Sequence, residues 1–276
     1  MSLVSLITDF GLKDYFVAAI KAELHQEIKD AHIIDISHQV SPFNHTEAAY
    51  ILTNAYKAFP KGSIHIVGVD SEFSPENSHI VMLFDGHYFI GANNGILSLI
   101  KDERVPDKIV EINIHNNITS SFPVLDVFVK VAGHISRKGS LDVIGKSITK
   151  IKEVTGVRPV INPTEDQILG SVIYIDNFGN VVTNITEKLF SEYSKGRSYT
   201  IFAKSIKFDS IHASYTEAIN FSIPKENRDE DGKKIALFNA AGHLELSIYK
   251  SNPQTVGSAS SLFGLEFRDT VTIKFN

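Results

Sequence analysis

The chain has 276 residues, 43% of them hydrophobic and 21% charged, with no cysteine and a formal net charge of -5. The missing cysteine removes disulfides, thiolate nucleophiles, zinc fingers and iron–sulfur ligation. The mild negative charge, with no dense Lys/Arg run, argues against a nucleic acid as the main partner.

Length allows one large or two modest domains, each able to bury a core without covalent staples. Ser2 to Thr8 reads as a first strand and not as a secretion signal, because acid follows at Asp9 and no basic leader precedes it. Asp9, Phe10 and Gly11 turn the chain into a helix over Tyr15 to Ile28, with Phe16, Ile20 and Leu24 on one side. Ala31 to Ile36 is the next strand. Asn44, with Glu47 three residues on, forms a capping box that opens a helix reaching Phe59, where Pro60, Lys61 and Gly62 stop it. Ser63 to Val69 is a strand ending in Asp70. Ile80 to Phe84 and His87 to Gly91 form a hairpin across Asp85-Gly86. Lys108 to Ile114 adds a strand, and Pro123 sits in the first turn of a helix running to Ser136.

This alternation predicts an α/β domain with a mostly parallel sheet covered on both faces. Ligands in such folds gather at the carboxyl ends of the strands, where Asp9 and Asp70 both fall. Gly156 to Asp166 reads as a linker. Beyond it come short strand-like runs: Gly170 to Ile175, Asn180 to Asn184, Tyr199 to Phe202, Lys234 to Phe238, Leu244 to Ile248 and Thr270 to Lys274. They predict a smaller all-β, barrel-like domain. The expected domains are therefore residues 1–165 and 166–276, with Lys225 to Lys234 an exposed loop.

No GxGxxG follows a strand, and no Walker sequence or HExxH is present. His32, His38 and His45 lack a metal-ligand spacing, so no metal site and no resident cofactor are expected. The absence of a long apolar run predicts no membrane span, and the expected location is cytoplasmic. Three polar stretches interrupt apolar strands: TDFG (Thr8 to Gly11), IDNFGNVVTNI (Ile175 to Ile185) and FNAAGHLEL (Phe238 to Leu246). Asp can accept ribose hydroxyls, Phe can stack on a base, and Asn can bond to a base edge. The same residues also make turns and caps, so the residue types alone leave both readings open.

Seven blocks in order resemble the S-adenosylmethionine hydroxide adenosyltransferases, a family related to the nucleoside fluorinase and chlorinase. They are TDFGLKDYFVAAIKAEL, IIDISHQVSPFN, IHIVGVD, YFIGANNGIL, SFPVLDVF, IDNFGNVVTNI and FNAAGHLEL. The resemblance spans nearly the whole chain. It implies a larger N-terminal α/β domain, a smaller C-terminal β domain, and a homotrimer with inter-subunit sites for a nucleoside ligand, S-adenosylmethionine. It places Asp9 on the ribose hydroxyls, Asp176, Phe178 and Asn180 on the methionine end and the adenine, and Asn239 and Ala240 on the adenine.

The family's Asp, Arg and His around the nucleophilic water map unevenly. The aspartate is Asp70. The arginine position is Asn77, in VDSEFSPENS, and the histidine position is Pro123, in SFPVLD, where Leu125 replaces a second arginine and Asp126 is kept. Asn93 stands in GANNG where the family has aspartate. Three readings stay open: cleavage of S-adenosylmethionine by water at C5′ with Asp70 as catalytic residue, binding without chemistry, or action on another nucleoside.

Overall fold

The computed structural model describes residues 2–114, 120–228 and 230–276, so Asp229, within the expected loop over Lys225 to Lys234, lies outside the described residues. The chain divides into two units, residues 1–156 and 157–276.

In the first unit, strands β1 (Ser2–Thr8), β2 (Ala31–Ser37), β3 (Ile64–Gly68), β4 (His79–Phe84), β5 (His87–Ala92), β6 (Lys108–Ile112) and β7 (Gly145–Ser147) form one sheet in the order β2-β1-β3-β5-β4-β6-β7. β1 runs parallel to β2 and β3, and β3 runs parallel to β5. β4 is antiparallel to β5 and β6, and β7 is antiparallel to β6, so the sheet is mixed. The switch to antiparallel pairing follows from the hairpin turn. Asp85 and Gly86 both adopt positive φ, 51° and 74°, which suits a two-residue reversal.

Helices α1 (Phe16–Glu27), α2 (His45–Tyr56), α3 (Ile96–Lys101) and α4 (Val129–Ser136) cover the sheet. The two-residue period of the strands separates two cores. Val4, Leu6, Ile64 and Ile66 pack with Ile20 and Leu24 of α1 and Val131 and Ile135 of α4. Ile7, Val67, Ile80 and Met82 pack with Ala48 and Leu52 of α2 and Leu97 and Ile100 of α3. Each fully buried aliphatic side chain contributes about 1.5–3 kcal/mol of transfer free energy. Asn44 caps α2 as its sequence predicts: its Oδ1 accepts from the Glu47 amide at 3.1 Å. The helix expected after Pro123 opens differently, with five residues of π-helix, Val124–Phe128, before α4.

The second unit contains β8 (Val160–Ile161), β9 (Gln167–Ile175), β10 (Val181–Thr186), β11 (Tyr199–Ala203), β12 (Ile206–Phe208), β13 (Lys234–Phe238), β14 (His243–Ile248) and β15 (Thr270–Phe275). Two short helices accompany them, α5 (Glu187–Ser194) and α6 (Ala259–Phe263). The sheet runs β12-β11-β15-β9-β10-β14-β13, with β8 on β9, and these neighbouring strands pair antiparallel. The long strand β9 pairs with β15 over Gln167–Ser171 and with β10 over Val172–Ile175, so it serves both halves. The result is a nearly closed antiparallel barrel around Ile168, Val181, Ile201, Leu246 and Ile273.

Candidate active site

β1 and β3 are neighbours, yet the connections that leave them run in opposite directions. β1 leads through α1 to β2 on one side, whereas β3 leads to β4 on the other. A crevice opens at the carboxyl ends of two such strands. Asp9 directly follows β1, and Asp70 lies two residues beyond β3. The close approach of the two strand ends depends on Gly68, where a Cβ would meet Thr8 at 3.0 Å and Val124 at 3.1 Å.

The segment that enters α2 touches both acids. The Phe43 amide donates to Asp9 Oδ2 at 3.0 Å, and His45 Nε2 lies 2.8 Å from Asp70 Oδ2. A carboxylate oxygen only accepts, so the imidazole donates from Nε2. Both side chains of the His45–Asp70 pair keep about a quarter of their surface exposed, 27% and 28%, and are open to a ligand. Asp70 has φ of 46°, an uncommon conformation for a residue with a side chain. Buried Asn94 holds it there: its amide donates to the carbonyls of Val69 and Asp70 at 3.1 and 3.0 Å, while its own oxygen accepts from the Ile96 amide.

The other histidines of this region are engaged elsewhere. His38 meets Thr8 Oγ1 at 2.8 Å through Nδ1, and its Nε2 lies 3.1 Å from Asp35, off the hydrogen-bonding line. Burial alone would raise the Asp35 carboxyl, but Lys21 and His38 outweigh it and hold it below its ordinary value. His79 meets the Ser71 carbonyl at 3.0 Å through Nε2 and packs against Phe73 and Phe128. Among the described residues, no group of three His, Asp or Glu side chains is arranged to hold a metal ion.

Asn77, Asn93, Pro123 and Asp126 each have partners or neighbours of their own. Asn77 Oδ1 accepts from Lys152 Nζ at 3.1 Å, and Asn93 Oδ1 accepts from the Lys152 amide at 2.8 Å. One lysine thus joins both asparagines. Pro123 precedes the π-helix, and its neighbour Phe122 packs edge-on against Phe10 and Phe16 at 5.6 and 5.3 Å. Asp126 accepts from Ser120 Oγ at 2.6 Å. π-Helical turns recur at functional sites, and this one begins directly after Pro123.

Asp176, Phe178, Asn180 and Asn239 of the second unit fall into one hydrogen-bonded group. Asp176 Oδ1 accepts from the amides of Phe178 and Asn180 at 2.9 and 2.8 Å, and its Oδ2 accepts from Asn180 Nδ2 at 2.9 Å. That folds D-N-F-G-N into a tight turn with the Phe178 ring exposed. Gly179 is required there, because its φ is 74° and a Cβ would collide with Ser258. Buried Glu245 accepts from Asn239 Nδ2 at 3.2 Å, from Ser247 Oγ at 2.8 Å and from the Tyr215 hydroxyl. Tyr215 also lies 3.4 Å from Asn180 Nδ2, so it connects the two motifs. Burial, reinforced by Glu245, pushes the Tyr215 phenol well above its ordinary value, keeping it a donor. Asn239 Oδ1 accepts from the amides of Ala241 and His243, and Ala240 at the turn is exposed.

His45, Asn94, Lys152, Tyr215 and Glu245 are residues that motif reading passes over. For His45 a signal exists in hindsight: it follows the Asn44 cap, and that cap fixes where the first helical side chain begins.

The profile of the SAM hydroxide adenosyltransferase N-terminal domain matches residues 4–145, and that of the C-terminal domain matches residues 170–272. An (R)-S-adenosyl-L-methionine hydrolase of Methanocaldococcus jannaschii is 29% identical, covering 99% of this chain and 96% of its own length. A fluorinase of Actinopolyspora mzabensis is 19% identical over 89% of this chain and 90% of its own. In structure, an uncharacterised conserved protein of Thermotoga maritima superposes with a TM-score of 0.83 at 26% identity, covering 98% of this chain and 99% of the other. With both domain profiles matched in order, the chain belongs to the SAM hydroxide adenosyltransferase family.

Proposed function

We propose that this protein binds S-adenosylmethionine and cleaves it to adenosine and methionine by attack of water at C5′. The observation that carries this reading is the pair of strand-end carboxylates at the switch point, Asp9 and Asp70, both held by the segment that enters α2. The hydrolase activity named for the M. jannaschii relative supports it.

The chemistry asks little of acid catalysis. The leaving group departs as a neutral thioether and needs no proton. The enzyme has to hold a water in line with the C5′–S bond, remove a proton from it, and exclude competing geometries. Asp70 is placed for that task, with one carboxylate oxygen on His45 and the other free to accept from the water. In this reading Asp9 binds the ribose hydroxyls. Asp176, Phe178, Asn180, Asn239 and Ala240 bind the methionine end and the adenine. S-adenosylmethionine is substrate, and no resident cofactor takes part. We also propose, from the family pattern, a homotrimer with inter-subunit sites, domains at 1–165 and 166–276, and a cytoplasmic location. Among the described residues no helix is long and apolar enough to cross a membrane.

A second reading, binding without turnover, is favoured by Asn77 and Pro123, which supply neither the family's arginine nor its histidine. Chromatography of S-adenosylmethionine incubated with wild type and Asp70→Asn separates the two. Hydrolysis predicts adenosine and methionine in equal amounts from wild type, and a drop of about 10²-fold or more in the variant, whose amide is a poor base. Equal product formation by a folded Asp70→Asn would reject Asp70 as the catalytic group. Binding with no product from wild type would establish the second reading.

A further inference from the structure

Asp70 is exposed enough to rotate and to hydrate, and a nucleophile-orienting carboxylate that moves loses its alignment. His45 restricts it. The Nε2–H···Oδ2 bond of 2.8 Å occupies one carboxylate oxygen. The imidazole itself is anchored at the first residue of a 12-residue helix. That helix start is rigid for local reasons. Asn44 Oδ1 accepts from the Glu47 amide, and Glu47 Oε2 accepts in return from Asn44 Nδ2 and from the Ser41 amide, each at 3.1 Å. From the opposite side, Asn94 fixes the Asp70 backbone. Side chain and main chain of Asp70 are therefore pinned from two elements.

We propose that His45 is the positioning residue for the Asp70 carboxylate in this site, an inference that rests on the hydrolytic reading above. With Oδ2 held by His45, Oδ1 accepts a hydrogen from the attacking water and sets its lone pair toward C5′. As the O–C5′ bond forms, the C5′–S bond breaks and its electron pair stays on sulfur, giving neutral methionine thioether. The proton lost by the water passes to Asp70 and from there to solvent. His45 donates one hydrogen bond throughout and gains or loses no proton. The imidazole thus comes from the start of α2, while the position of the family histidine is Pro123.

Steady-state kinetics on S-adenosylmethionine with wild type, His45→Leu and His45→Gln test this, with melting curves alongside. His45→Leu lowers kcat on the order of 10–100-fold while KM moves less than about threefold, because the lost bond aligns the nucleophile and does not hold the substrate. His45→Gln, whose amide nitrogen reaches close to the Nε2 position, recovers kcat to within about fivefold of wild type. If His45→Leu melts early, His45→Asn replaces it, since its shorter amide stops short of the carboxylate. Equal kcat in wild type and the folded Leu or Asn variant overturns the role, as does a rise in KM with kcat intact. Absence of adenosine from wild type itself overturns the hydrolytic reading, and with it this one.

Discussion

At the scale of single residues, Asp9 and Asp70 differ in the partner that holds them. Asp9 gives one oxygen to the Phe43 amide, and Asp70 gives one to an imidazole. Each retains an oxygen for a ligand. For Asp9 the proposed ligand is a ribose diol, and a charged anchor of that kind contributes about 1.5–3 kcal/mol. Asp9→Asn keeps an oxygen for Phe43 while losing the charge, so the loop stays in place. Calorimetry should then show adenosine affinity falling about 10-fold or more, with 2′-deoxyadenosine affected much less. Equal losses for both nucleosides, or none, would remove Asp9 from the ribose. The placement of both acids at strand ends is legible in the sequence, because apolar runs stop at each of them. The partners are not. Nothing local announces that His45 meets Asp70, 25 residues away, or that Asn94 supports the same residue, because those meetings depend on how α2 and the segment after β5 return to the sheet.

At the scale of elements, β1, β3 and β5 carry a polar ladder through an otherwise apolar core. Ser5 Oγ meets His65 Nδ1 at 2.6 Å, and His65 Nε2 meets His87 Nδ1 at 3.2 Å, with the rings of Tyr56 and Phe89 around them. Burial, with the neighbouring His87, pushes His65 down to about 3 from an ordinary 6.5. Burial, with Lys61, also lowers His87. A histidine whose folded value is depressed takes up a proton more readily when unfolded. Its contribution is therefore intact above about pH 6.5 and is lost as pH falls toward 3. Urea unfolding should show wild type losing about 2 kcal/mol between pH 7 and pH 5 on account of His65, a loss that His65→Gln lacks. The same pH dependence in both proteins would contradict this assignment. Some elements were readable for simple reasons: β1 by its apolar run, α2 by its cap, the β4–β5 hairpin by Asp-Gly. Others were not. Helix α3 is a six-residue run in which Ile96, Leu97, Ser98 and Ile100 are all buried, so it presents no polar face to give a helical period. The π-helix after Pro123 has no local sequence pattern that announces it, and Phe122 just before it packs on Phe10 and Phe16.

At the scale of the whole molecule, the family fold is kept across both matched domains. The sheet of the first unit and the barrel of the second keep the two matched domains in order. Within the first, Asn77 and Asn93 share Lys152, Pro123 opens a π-helix, and an imidazole reaches Asp70 from α2. In the proposed reading this site drives water onto C5′. A single-turnover reaction of excess wild-type protein with S-adenosylmethionine in ¹⁸O-enriched water, read by mass spectrometry, addresses it directly. Attack at C5′ predicts adenosine carrying one ¹⁸O on its 5′-hydroxyl and methionine carrying none. Unlabelled adenosine, label in the methionine, or substrate recovered intact from a protein that binds it would overturn the hydrolytic reading.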